Sequence, residues 1–168
     1  QNQALELRPD YALAYCGRAL AKTELRDFKG SMEDSSRALE LDPKLAAAFQ
    51  ARGYSRTLMG DYKEAEKDYQ EAIRLLPGNV FLFVGRGFLY ELLQNWPKAL
   101  ADYNEALKLD ASRGLTYTSR GGVYLQVRDY EKALDDYTRA TQLVPEEVRA
   151  WNGRALAYNG LLRVDEAL

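Results

Sequence analysis

Glu71-Ala72-Ile73-Arg74-Leu75-Leu76-Pro77 decides the fold, because the chain writes it again and again. Thirty-four residues earlier it reads Arg37-Ala38-Leu39-Glu40-Leu41-Asp42-Pro43. Thirty-four residues later it reads Glu105-Ala106-Leu107-Lys108-Leu109-Asp110, with Ala111 where proline falls in the others, and then Arg139-Ala140-Thr141-Gln142-Leu143-Val144-Pro145. Ala4-Leu5-Glu6-Leu7-Arg8-Pro9 fits the same register. A fixed period of this length marks a chain built of stacked structural repeats. The register divides it into the end of one repeat (1–11), four full repeats (12–45, 46–79, 80–113, 114–147) and a partial fifth (148–168).

Other columns hold in the same register. Large aromatics recur at Tyr15, Phe49, Phe83, Tyr117 and Trp151, and small residues at Ala19, Gly53, Gly87, Gly121 and Ala155. Further small columns read Ser31, Ala65, Ala99, Ala133, Ala167 and Ala38, Ala72, Ala106, Ala140. Within each repeat the spacing predicts two helices, such as Ala46 to Met59 and Tyr62 to Leu76. Between them falls a turn, at Arg26-Asp27, Gly60-Asp61, Gln94-Asn95 or Arg128-Asp129, whose Asp or Asn suits a helix N-cap. Pro97 sits in a first helical turn, where its missing N–H costs nothing. The fifth repeat is expected to turn near Leu162-Arg163 and enter a second helix at Val164.

Tyr117-x2-Arg120-Gly121-x2-Tyr124, then Ala133-x3-Tyr137, then Pro145 resembles the tetratricopeptide repeat (TPR) pattern, W-x2-L-G-x2-Y, A-x3-F, P. Trp151-x2-Arg154-Ala155-x2-Tyr158 matches its first part, and the resemblance covers essentially the whole chain. It implies an all-α, right-handed α-solenoid of helix-turn-helix hairpins, used for protein binding through a concave groove lined by first helices. Three departures stand out. Arginine occupies the leucine column, Lys22 and Arg56 replace the second aromatic in the first two repeats, and Ala111 replaces a proline.

The arginine column (Arg18, Arg52, Arg86, Arg120, Arg154) is matched by an equally regular aspartate column (Asp34, Asp68, Asp102, Asp136). One reading is a ladder of guanidinium groups for an acidic ligand. The favoured one is structural. An antiparallel hairpin brings Arg52 level with Asp68, and an arginine–carboxylate pair tolerates partial burial.

Fifteen of the nineteen aromatics belong to repeat columns. Of the other four, Tyr11 sits in the link after Pro9, while Tyr54, Phe81 and Phe88 lie on first helices, off the face that meets the second helix. The resemblance puts them in the groove. There they form an apolar pocket with Leu20 and Val84, with Tyr54 and Phe88 as neighbours, beside the polar Gln50, Glu91, Thr118, Arg149 and Asn152. The alternative is that these aromatics only complete packing between repeats. Cys16 is expected to face the groove as an ordinary small apolar residue. The chaperone-binding branch of the family needs an asparagine before the arginine column. That position reads Gly17, Ala51, Gly85, Ser119 and Gly153, which argues against a carboxylate clamp.

Composition narrows the function. The 168 residues contain no histidine and one cysteine, which removes His-dependent catalysis, intramolecular disulfides and zinc ribbons from the reckoning. The net charge of −2 lacks the basic excess of a nucleic-acid binder, and RNA-binding helical repeats carry basic grooves. The most apolar run, Val80 to Leu93, is interrupted by Arg86 and Glu91 and is too short to span a bilayer. No signal-like segment opens the chain, and Gln1 reads as a trimmed start. The expectation is therefore a cytoplasmic, non-enzymatic scaffold with no cofactor and no metal. Its partner is a protein or peptide, with no nucleic acid and no membrane insertion. The alternative is a self-assembly module. Neither end reads as a polar capping helix, and uncapped arrays associate end to end.

Overall fold

A computed structural model describes residues 11–165, with side chains through Leu162. The register also puts part of a second helix at Gln1 to Leu7, which lies outside them. Among the described residues there are nine helices and no strand. They are α1 (Ala12–Glu24), α2 (Phe28–Leu41), α3 (Ala46–Met59), α4 (Tyr62–Leu75), α5 (Val80–Leu92), α6 (Trp96–Leu109), α7 (Gly114–Gln126), α8 (Tyr130–Leu143) and α9 (Val148–Asp165). The fold class is an all-α helical repeat. Two compact units follow one another, the first ending at Gly85 and the second beginning at Arg86, both within α5. In the first, α1 packs on α2, α2 on α3 and α3 on α4; in the second, α6 packs on α7, α7 on α8 and α8 on α9.

Each hairpin turn has the same device. The residue before the N-cap takes a left-handed φ: Arg26 at 61°, Gly60 at 84°, Gln94 at 53° and Arg128 at 61°. In three of these four turns the side chain of the next residue caps the second helix. Asp27 accepts from the Gly30 N–H at 2.9 Å, and Asn95 and Asp129 accept from Lys98 and Lys132 at 3.3 Å. Asp61 makes no such bond and faces Arg56 at 3.8 Å instead. The expected turn at Leu162-Arg163 does not form, and α9 runs unbroken to Asp165. That stretch has neither a glycine nor a capping Asp or Asn at the turn, so nothing there favours leaving the helix.

Small residues let the helices touch. Ala38, Ala65, Ala72, Ala99, Ala106, Ala133 and Ala140 are all fully buried. The gaps they leave are filled by Tyr69, Tyr103 and Tyr137, each from a second helix. A Cβ on Gly53 would lie 3.5 Å from the Tyr69 ring, on Gly87 2.8 Å from Tyr103, and on Gly121 3.2 Å from Tyr137. The same rings reach the next first helix. A Cβ on Gly85 would stand 2.7 Å from Tyr69, and one on Gly153 only 2.2 Å from Tyr137. The first hairpin has Ser35 in place of the tyrosine, and there the facing positions are the alanines Ala19 and Ala51, both buried. A large side chain is met by glycine and a small one by alanine, so density is kept.

The first unit also holds a buried cluster of hydroxyls. Ser31 and Ser55 are fully buried and 3.0 Å apart, and Thr23 reaches them at 2.7 and 3.3 Å. Each hydroxyl meets another from a different helix, α1, α2 or α3, which offsets the cost of burying it.

Candidate functional site

Four arginines of the column grip an aspartate sixteen residues ahead, each with two parallel bonds. Arg18 Nε and Nη2 donate to Asp34 at 2.6 and 2.5 Å, and Arg52 to Asp68 at 3.0 and 2.7 Å. Arg86 meets Asp102, and Arg120 meets Asp136, at 2.8 and 2.7 Å. The planar guanidinium also lies over an aromatic of its own helix, 5.3 Å from Tyr15 for Arg18 and 5.5 Å from Tyr117 for Arg120. A flat, stackable cation suits this leucine position as a point charge would not. Two arginines use the remaining nitrogen to reach back to the preceding hairpin. Arg52 Nη1 donates to Ser36 at 3.3 Å and Arg120 Nη1 to Asn104 at 2.6 Å. Among the described residues no aspartate pairs with Arg154; it lies 4.3 Å over Trp151 and reaches the Thr141 hydroxyl at 3.4 Å.

Lys22 and Arg56 explain themselves here. Lys22 Nζ lies 2.9 Å from Asp34, and Arg56 Nη1 2.6 Å from Asp68. The aspartates of the first two hairpins thus hold two cations each. At the same register position the next two hairpins carry Tyr90 and Tyr124, and the guanidiniums of Arg86 and Arg120 lie 5.9 Å from those rings.

The electrostatics follow. Burial pushes the Asp34 carboxyl up, but hydrogen bonds from Arg18 and Lys22 outweigh it and hold Asp34 below the ordinary range. For Asp102 and Asp136 burial wins over a single arginine, and both lie above the ordinary range. A lowered folded-state pKa gives stability above the ordinary carboxylate value that is lost as pH falls through the lowered one. Raised values act in the opposite sense, so protonating Asp102 and Asp136 favours the folded form. Below about pH 4, α1 and α2 are therefore expected to open before α7 and α8, and amide exchange resolved by helix checks the order.

The groove residues divide between the two units. Leu20, Gln50, Tyr54, Phe81 and Val84 belong to the first, and Phe88, Glu91 and Thr118 to the second. Leu20, Tyr54 and Phe81 are exposed, while Gln50, Val84 and Phe88 are half-buried. Two positions need correcting. Thr118 is buried and its hydroxyl donates to the Gly114 carbonyl of its own helix at 3.3 Å, so it offers no groove contact. Cys16 does not face a groove. It packs in a core with Ala38, Leu39 and Ala48, and burial pushes its thiol up. Gly85 and Gly153, before the arginine column, are closed to an asparagine by the tyrosine rings against them.

Three kinds of contact are not foreseen from the sequence. They are the second cation on Asp34 and Asp68, the bridges to Ser36 and Asn104, and a bond from the Tyr103 hydroxyl to Glu91 Oε1. Lys22 and Arg56 were visible as departures from the pattern. The Glu91 bond had no such signal.

Among the described residues no cluster of acidic or cysteine side chains is arranged to hold a metal, and no helix is long and apolar enough to cross a membrane. What the residues build is a helical-repeat scaffold whose charges are largely satisfied internally. Sequence profiles described as tetratricopeptide repeat match residues 46–79 and 119–168, together half of the chain. The chain belongs to the tetratricopeptide repeat family, whose repeats generally mediate protein–protein interaction and whose members are typically non-catalytic.

Solved structures agree on the fold. The first TPR domain of Spaghetti (RPAP3), solved with the HSP90 peptide SRMEEVD, is 27% identical at a TM-score of 0.68, covering 70% of this chain and 93% of that one. YrrB, described as a TPR protein with an unusual peptide-binding site, is 22% identical at 0.75, covering 94% and 81%. The thermophilic TPR protein TTC0263 of Thermus thermophilus is 21% identical at 0.77, covering 96% and 87%. Curated protein sequences give no match.

Proposed function

We propose that the chain is a non-catalytic protein-binding scaffold, and that its first unit docks an apolar stretch of a partner peptide or helix on Leu20, Tyr54, Phe81 and Val84. One observation carries this. Leu20, Tyr54 and Phe81 are 44%, 39% and 52% exposed, on the three successive first helices α1, α3 and α5. Large apolar side chains left in water together mark interaction surfaces, and aromatics dominate the energy of such contacts. A stacked-repeat scaffold draws its stability from neighbouring repeats, which leaves this face free to be specialised. The peptide held by the RPAP3 domain supports a peptide as the ligand class. The absence of histidine and the burial of Cys16 support a role without chemistry.

Quantitative capture from a lysate tests it, with Tyr54→Ala/Phe81→Ala beside wild type and with Leu109→Ala, exposed on α6, as control. The expected result is at least tenfold weaker capture for the double variant, since two lost anchors remove more than about 1.4 kcal/mol. Equal capture by all three proteins would sink the proposal.

A second reading, self-association, has its own observation. In the second unit α9 leaves Leu156 and Leu162 about 60% exposed and Tyr158 53% exposed. Light scattering that stays monomeric at high concentration would remove it.

A further inference from the structure

The second unit carries a feature unlike the first. On α7, Gly122 takes the place that Leu20 and Tyr54 hold on α1 and α3. A Cβ there would meet only the Tyr137 hydroxyl, at 3.6 Å, so the position is open. Three charges act on this hydroxyl, Glu91 and Asp136 in one sense and Arg149 in the other. Glu91 is half-buried. Its Oε1 takes the Tyr103 hydroxyl, and among the described residues no partner reaches Oε2 and no lysine or arginine forms an ion pair with it. Arg149 contributes only at longer range, because its guanidinium is bound to Glu147 at 2.7 Å.

A carboxylate withdrawn from water and tied to a single phenol is short of a counter-charge. It accepts hydrogen bonds and cannot donate them. Every other buried carboxylate in the ladder has its arginine. We infer that Glu91, with Tyr103 and Tyr137 beside it and Gly122 leaving the approach open, is a subsite for a cationic side chain, lysine or arginine, of a bound peptide. This deepens the peptide-binding reading and rests on it. Burial raises the Glu91 carboxyl against the pull of Tyr103 and Arg149, as expected of an acid still lacking a close cation. The groups that face it are Tyr103 from α6, Tyr137 from α8 and Arg149 from α9.

The probe is Nα-acetyl-lysine amide at millimolar concentration, compared with Nα-acetyl-norleucine amide, which has the chain without the charge. The readouts are the NMR shifts of the Glu91 carboxyl carbon and the Gly122 amide. The lysine probe should give saturable shifts at both and norleucine none. Glu91→Gln keeps an acceptor for Tyr103 and should weaken the response at least tenfold at an unchanged thermal midpoint. Arg149→Gln, at an exposed position, should strengthen binding severalfold by removing the competing cation. Tyr54→Ala/Phe81→Ala should leave the response intact, which separates this subsite from the apolar docking face. No saturable lysine response, an equal norleucine response, an unchanged Glu91→Gln, or weaker binding in Arg149→Gln would each overturn the inference.

Discussion

Gly153→Ala is expected to cost about 3 kcal/mol, at the upper end of what over-packing a core does. The new methyl would stand 2.2 to 2.6 Å from three atoms of the Tyr137 ring. That ring cannot retreat, because it already fills the space beside Gly121 and is buried among Ala133, Ala140, Ala150 and Ala157. The same substitution should change sign once the ring is gone. In a Tyr137→Ser background the methyl meets open space, and alanine is the better helix former by up to about 1 kcal/mol. Urea unfolding of the two single variants and the double variant gives the coupling directly. The expected coupling is about 3 kcal/mol or more. Additive effects would mean that the tyrosine is not what keeps this position glycine. The chain has made a comparable exchange itself, with Ser35 facing Ala19 and Ala51.

Arg120→Ala is the second large effect. It leaves Asp136, which is 4% exposed, with no cation and removes the bridge to Asn104. Stranding a buried carboxylate costs about 3–5 kcal/mol. Arg52→Ala should cost much less, about 1–2 kcal/mol, because Arg56 still holds Asp68 at 2.6 Å. The contrast matters more than either figure. A ladder that served an acidic ligand would leave both variants equally stable. Replacing the pair together, as Arg120→Leu with Asp136→Ala, should recover most of the loss, since no charge is then stranded.

The repeat made the fold legible, because a period of two helices is written in residue size and hydrophobicity along the chain. Helix ends were legible wherever a left-handed turn residue precedes a capping Asp or Asn. They were not at Leu162-Arg163, where the register expected a turn that the residues themselves do not encode. Of the candidate site, the exposure of Leu20, Tyr54 and Phe81 could be read from helical spacing, since they lie far from the hairpin seam, while their place in a groove rests on the family resemblance. Thr118 and Cys16 could not. They sit at the edge of the first-helix face, and whether such a residue sees water depends on the neighbours that close over it. For Cys16 these are Ala38, Leu39 and Ala48. The Tyr103–Glu91 bond was beyond reach for a related reason. It joins two helices through the length of a side chain, and no spacing rule carries that length.

The matching of Ser35 to alanine and of the three tyrosines to glycine also limits how the protein's lineage could have grown. A tandem copy of 46–79 would set Tyr69 against a second Ala51, a methyl where the ring requires bare backbone. Loss of the same segment would set Ser35 against Gly85 and leave a hole. Loss of 114–147 would only bring Tyr103 to Gly153, a glycine that already faces a tyrosine ring. Repeats can therefore be gained or lost among the tyrosine hairpins at little cost, while 46–79 acts as a fixed adaptor between two incompatible joints. Length variation in relatives should fall after it and not before.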